Sequence, residues 1–119
     1  MSLAFGQARV KRGFMPMAVV PAARQALERA GITPGKLASV TTHNPFAVND
    51  AYLARELGLE LGRMNRHGCS LVWGHPQGPT LTRSLIEGLE EAVDLGGGHV
   101  LLFGCAAGDV GIAALFEVR

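Results

Sequence analysis

Three side chains with reactive heads, His43, His75 and Cys105, each follow a segment that reads as a β-strand. His43 comes after the β-branched stretch 37–42, His75 after the apolar run 69–73, and Cys105 after the apolar run that ends near Gly104. In open α/β sheets, ligands bind in the crevice beyond the carboxyl ends of parallel strands, so the three groups can converge on one pocket. A cysteine near histidines and helix N-termini has its thiolate favoured, which suits it to act as a nucleophile or as an acid/base near neutral pH. Helices starting just after His43 and Gly78 would aim their amides at the same edge, where they stabilise negative charge on a bound oxygen such as an enolate. Spacing alone equally allows Cys105 as a small buried hydrophobe and both histidines as turn residues.

Other constellations are weaker. His67, Cys69, His75 and Cys105 lack the paired spacing of a zinc set, so no metal is expected. The glycines at 104–111 have no Lys-Ser/Thr after them and do not fit the dinucleotide fingerprint, which argues against a nucleotide site. Trp73 reads as a core aromatic rather than a ligand contact. Glu87, Glu90 and Glu91 read as a solvated helix face.

The elements that must position the reactive groups are legible from periodicity. Residues up to Val10 alternate enough for a first strand. Pro21 opens a helix over 21–30 with Ala23, Ala26 and Leu27 on one face, and Gly31 caps it in the left-handed conformation. After the strand at 37–42, Asn44 and Pro45 read as N-cap and first helical residue of a helix bearing Leu53, Ala54 and Leu57, closed by Gly58. The run at 69–73 reads as a third strand. Leu81, Leu85, Leu89, Ala92 and Val93 form the stripe of a helix that Gly96 to Gly98 break. Strands at 99–103 and 112–118, both read as buried on two faces, complete the order β-α-β-α-β-α-β-β. The expected fold is α/β, a mixed five-stranded sheet layered with helices.

Composition bounds the possibilities. The chain has 119 residues, 48% hydrophobic and 18% charged, which fits one domain with a real core. Eleven basic and ten acidic residues, spread along the chain, give no footprint for nucleic acid. No apolar run approaches the roughly 20 residues that cross a bilayer, and the N-terminus lacks signal-peptide features, so a cytoplasmic protein is expected, without a membrane partner. Two cysteines make no disulfide framework.

The motifs carry a family resemblance. Asn65-Arg66-His67-Gly68 leading into Gly74-His75-Pro76-Gln77-Gly78 resembles the Asn-x-x-Gly-Gly and Gly-His-Pro-x-Gly block of thiolases. Upstream, Pro21-Ala22-Ala23-Arg24 through Ala30-Gly31 is similar to that family's Pro-x-x-Ala helix segment, and His43-Asn44-Pro45-Phe46-Ala47 stands in the place of its Asn-Glu-Ala-Phe-Ala motif. Downstream, the segment from Cys105 to Ala114 resembles the Cys-x-Gly-Gly-Gly-x-Gly-x-Ala block. Three blocks in family order are specific where any one alone is weak.

The resemblance covers only the C-terminal of the two thiolase halves, so residues 1–119 would be a thiolase C-terminal domain. It implies a half that acts with an N-terminal half carrying the nucleophilic cysteine, in the same polypeptide or as a partner subunit. It further implies a 3-oxoacyl thioester of coenzyme A as substrate, Claisen condensation or its reverse as reaction, and no bound cofactor. Cys105 would be the acid/base cysteine, His75 would activate the missing nucleophile and donate to the thioester oxygen, and His43 would share the enolate hole. Asn44, Phe46, Gly74 and Gly108, set in the same motifs, would contact substrate.

Departures from the pattern carry expectations of their own. His43 replaces an asparagine, as in divergent superfamily members such as sterol-carrier thiolases, and can still donate a hydrogen bond. Asn44 replaces a glutamate, removing a charge. Ala106 and Ala107 stand where glycines are usual, at a cost of about 1 to 2 kcal/mol each if left-handed angles are needed. Asp109, if near Cys105, would raise the thiol's pKa. Pro79-Thr80-Leu81 crowds the start of the following helix. A non-catalytic module that binds a partner or acyl ligand is the competing reading. The face that would meet the missing half should be an exposed apolar patch, inviting homo-oligomers.

Overall fold

In the computed structural model, which describes residues 1–119, the strands are β1 (Ser2–Arg9), β2 (Leu37–Thr42), β3 (Gly98–Ala106) and β4 (Val110–Val118). The helices are α1 (Val19–Ala30), α2 (Ala47–Leu57), the single turn α3 (Ser70–Trp73) and α4 (Thr80–Asp94). The strands form one mixed sheet in the order β1-β4-β3-β2, with β2 parallel to β3 and the other pairs antiparallel. The α/β class and mixed sheet agree with expectation, but the sheet has four strands, not five.

The missing strand is the run at 69–73, which forms α3 instead. The amides of Val72 and Trp73 donate to the Cys69 carbonyl and that of Gly74 to Ser70. A five-residue apolar run is too short for its period to separate strand from helix, and Gly68 and Gly74, both at positive φ, bound it with turns. Only Ser70 of this turn is buried. Trp73 is 57% exposed, contrary to its reading as core, and lies over Gly68, where a Cβ would come within 2.3 Å of the indole nitrogen. The vacant edge of β2 is met by a lone parallel bridge from Val40 to Met64.

One side of the sheet holds the core. Val19, Val20, Ala22, Ala23, Ala26 and Leu27 of α1 pack with Leu53, Ala54 and Leu57 of α2 on Val40, Leu101, Phe103, Ala113 and Leu115. Alanines on α1 permit close approach only because the strands beneath are also small. A Cβ at Gly111 would lie 2.3 Å from the backbone of Ala18, and one at Gly6 would lie 2.0 Å from the carbonyl oxygen of Ala22. The predicted left-handed cap forms at Gly31, which ends α1 at φ 66°, and Gly58, expected to close its helix, ends α2 at φ 67°. Pro21 falls in the first turn of α1, two residues after its start, where its missing N–H has no intrahelical partner to lose.

On the other side lies α4, over β2 and β3. The residues it buries are Thr80, Ser84, Gly88, Glu91 and Ala92, while its leucine stripe is only partly covered. Gly88 explains the close fit, since a Cβ there would meet Val100 at 2.8 Å and Thr41 at 3.0 Å. Glu91 is therefore not on a solvated face: it is 3% exposed, accepts a 2.5 Å hydrogen bond from Ser39 and pairs with Arg66 at 3.1 Å. The buried-on-both-faces expectation holds for β3 through Val100–Gly104 but not for β4, whose burial alternates. Beyond α4 no helix covers that side of β4 and β1, so Phe5 and Leu3 stand exposed.

Candidate active site

Parallel β2 and β3 end side by side, and their carboxyl ends carry two of the reactive groups. The His43 amide donates to Phe103 at 2.9 Å, which extends the ladder by one rung and fixes the histidine beside β3. Cys105 lies within β3 rather than beyond it, paired with Gly111 across the hairpin. His75 arrives from the loop between α3 and α4. The three line one open cavity of about 500 Å³ with Met15, Pro45, Gln77, Thr80, Leu81, Ala106 and Ala107.

The two imidazoles stack, with ring centroids 4.0 Å apart and planes inclined by 27°. His43 is 6% exposed and its Nδ1 lies 3.0 Å from the Ser70 hydroxyl. Burial first, and the neighbouring His75 second, lower its pKa, so it is neutral near pH 7. The Nδ1 of His75 lies 2.8 Å from the Thr80 hydroxyl, which is also 2.7 Å from the Pro76 carbonyl. A hydroxyl has one hydrogen and a carbonyl only accepts. Both contacts are satisfied when Thr80 donates to Pro76 and accepts from Nδ1–H, which leaves Nε2 of neutral His75 free to take a proton.

Cys105 is half-buried, and burial raises its thiol pKa, opposed by a hydrogen bond from its own backbone and one from Asn49. The expectation of a favoured thiolate is thus reversed: desolvation outweighs the donors, and the group is a thiol at neutral pH. Asp109 does not cause this. Its carboxylate accepts from the Gly13 amide at 3.0 Å, while Arg9 donates to the Gly108 carbonyl beside it. Nor do Ala106 and Ala107 carry strain, because the left-handed angles of the hairpin fall on Gly108 and Asp109.

A polar knot holds the loop that presents His43. Asp50 accepts from Thr42, Asn44 and Asn65, and Asn65, itself at φ 50°, also accepts from the Thr42 amide at 2.8 Å. Burial raises the Asp50 pKa, and the three donors oppose the shift. This knot explains why Asn44 does not cap α2. Its side chain turns to Asp50, and the helix starts at Ala47 with Phe46 at its cap, two residues beyond Pro45.

The structure therefore gathers His43, His75 and Cys105, while Asn44, Phe46, Gly74 and Gly108 are not on the cavity wall. Asn44 is fully buried, Phe46 is 58% exposed, and Gly74 and Gly108 are turn residues at positive φ. Asn49, Thr80 and Ser70, which touch the reactive groups, escaped the sequence reading. All three sit in the first turn of a helix, a pattern indistinguishable from ordinary helix-start polarity.

Comparison with known proteins places this arrangement. Residues 2–118 match the family described as thiolase, C-terminal domain. The chain is 33% identical over 115 residues to beta-ketothiolase BktB of Cupriavidus necator, covering 97% of this chain and 29% of that protein. It is 33% identical over 111 residues to a 3-ketoacyl-CoA thiolase of Vibrio cholerae, covering 79% of this chain and 26% of that one. Among solved structures, the Bacillus anthracis acetyl-CoA acetyltransferase superposes with a TM-score of 0.93 at 24% identity, over 99% of this chain and 30% of the other. Human mitochondrial 3-ketoacyl-CoA thiolase in complex with CoA gives the same values. The chain thus spans under a third of the length of these relatives, and it belongs to the thiolase family, as its C-terminal domain.

Proposed function

We propose that this domain supplies the acid/base thiol and the imidazole pair of an acyltransferase that cleaves or forms 3-oxoacyl thioesters of coenzyme A. It works with an N-terminal thiolase half that carries the nucleophilic cysteine. The convergence of His43, His75 and Cys105 on one cavity is the observation that carries this reading.

In the cleavage direction, the partner cysteine gives its proton to Nε2 of His75 and attacks the 3-oxo carbon. The C2–C3 bond breaks, and its electron pair passes to the thioester as an enolate. The Cys105 thiol protonates C2; its thiolate then takes the proton of a second coenzyme A, whose sulfur attacks the acyl carbon, and the departing partner cysteine regains its proton from Nε2 of His75. Condensation is the reverse, with the Cys105 thiolate taking the proton from C2. A raised thiol pKa fits the donor role, and imidazole N–H groups facing the developing oxyanion lower the barrier to either direction.

The unfinished second side of the sheet supports the need for another half. Ile86 and Val93 on α4 and Leu95 after it are each more than half exposed, and Leu3 and Phe5 on β1 are exposed as well.

The test is cleavage of acetoacetyl-CoA by the chain alone and after co-expression with a thiolase N-terminal half. The chain alone should be inactive. In the complemented enzyme, Cys105→Ser and His75→Ala should each lower turnover by about two to three orders of magnitude. Cleavage by the chain alone, or near-native turnover in either variant, overturns the proposal.

A further inference from the structure

Asn49 is the third residue of α2 and is 1% exposed, on the side of the helix that meets the sheet. Its Nδ2 lies 3.7 Å from Cys105 Sγ, within reach of an N–H···S hydrogen bond, whereas its Oδ1 is buried without any partner. An amide enclosed in protein with one end unsatisfied is a poor choice for packing. An apolar residue of the same size would serve the core better. Its value must lie in the contact that it does make.

We propose that Asn49 is the positioning residue for Cys105: its enclosed amide donates to the sulfur, fixes where the thiol points, and stabilises the thiolate once the proton has left. A thiol sulfur is a weak acceptor and a thiolate a strong one, so this bond tightens as the S–H bond breaks and its electron pair stays on sulfur. Among the side chains, Asn49 alone donates to the sulfur. Arg9 is engaged by the Gly108 carbonyl, Asp109 by the Gly13 amide, and Asp50, beside Asn49 on α2, by Thr42, Asn44 and Asn65. Of the imidazoles lining the cavity with Cys105, His43 has its pKa lowered by burial and turns Nδ1 to Ser70, and His75 turns Nδ1 to Thr80.

This deepens the acyl-transfer reading and rests on it for its catalytic meaning, but its test needs no thioester. In a Cys69→Ser background, the pH dependence of iodoacetamide alkylation reads the Cys105 titration alone. Asn49→Leu should move the midpoint up by about one pH unit, which is roughly a tenfold slower reaction below it. An unmoved midpoint overturns the proposal, and a slower reaction without a shifted midpoint, the mark of mere loss of access, overturns it as well. Should Asn49→Leu not fold, the otherwise native chain decides: the side-chain amide resonances of Asn49 should follow the thiol titration in nuclear magnetic resonance spectra and lose that dependence in Cys105→Ala. Flat resonances remove the role of Asn49 while leaving acyl transfer to the turnover test.

Discussion

Burial drives two groups of the site toward their uncharged forms, raising the Cys105 thiol and lowering His43. For His43 the consequence reaches stability. The unfolded chain takes up the proton near the ordinary 6.5 and the folded chain only at lower pH, so the unfolded state binds more protons between those values. The stability associated with neutral His43 is complete above about pH 6.5 and is lost as pH falls through the folded value. His43→Gln, which keeps a polar group near Ser70 but cannot ionise, should flatten the fall in melting temperature between pH 7 and 5. Parallel falls in the two proteins, followed by circular dichroism, would show that His43 is not the group responsible. The ring of His75, stacked on His43, adds to the lowering of the His43 pKa after burial.

Two helices reach the sheet by different means. At α1 the means is smallness: Ala22 over Gly6, and Ala18 at the helix cap over Gly111, leave no space for a methyl group. Gly111→Ala pushes a Cβ into the Ala18 backbone, which has no rotamer to yield, and should cost more than about 2 kcal/mol in chemical denaturation. On α4 the means is polar: Glu91 is buried against Ser39 and Arg66, whereas Glu87, a turn earlier, pairs with Arg83 at 3.6 Å nearer the surface. Glu91→Ala strands Ser39 and Arg66 and should cost about 3 kcal/mol, while Glu87→Ala should cost under about 1 kcal/mol. Equal costs at the two positions would contradict the burial assigned to Glu91.

At the scale of the whole molecule, one side of the sheet is finished and the other is not. The side under α1 and α2 holds the continuous core; on the other side Phe5 of β1 is exposed, and so are Ile86 and Val93 on the outer face of α4. Water against that much apolar surface favours association. The isolated chain should therefore self-associate with rising concentration in sedimentation, and Ile86→Lys with Val93→Lys should restore the monomer. A chain that stays monomeric at high concentration would count against an interface on this side. Co-expression with an N-terminal half should suppress the self-association by covering the same surface.

What the sequence determined by itself were the features encoded locally. Helices α1 and α4, the glycine caps at Gly31 and Gly58, strands β2 and β3, and the order of motifs around His43, His75 and Cys105 all follow from periodicity, backbone preference and short spacing. The fifth strand failed because the run at 69–73 has apolar character without enough length to show a period, and its flanking glycines decide between the possibilities only in three dimensions. Glu91, Asn49 and Asp50 read as ordinary polar helix residues until the sheet is placed beside them; Glu91 and Asn49 are then buried against Ser39 and Cys105, and Asp50 is partly buried against Thr42. The same holds for protonation: the thiol and imidazole types are written in the chain, but whether Cys105 and His43 carry charge depends on how much water the folded molecule leaves around them.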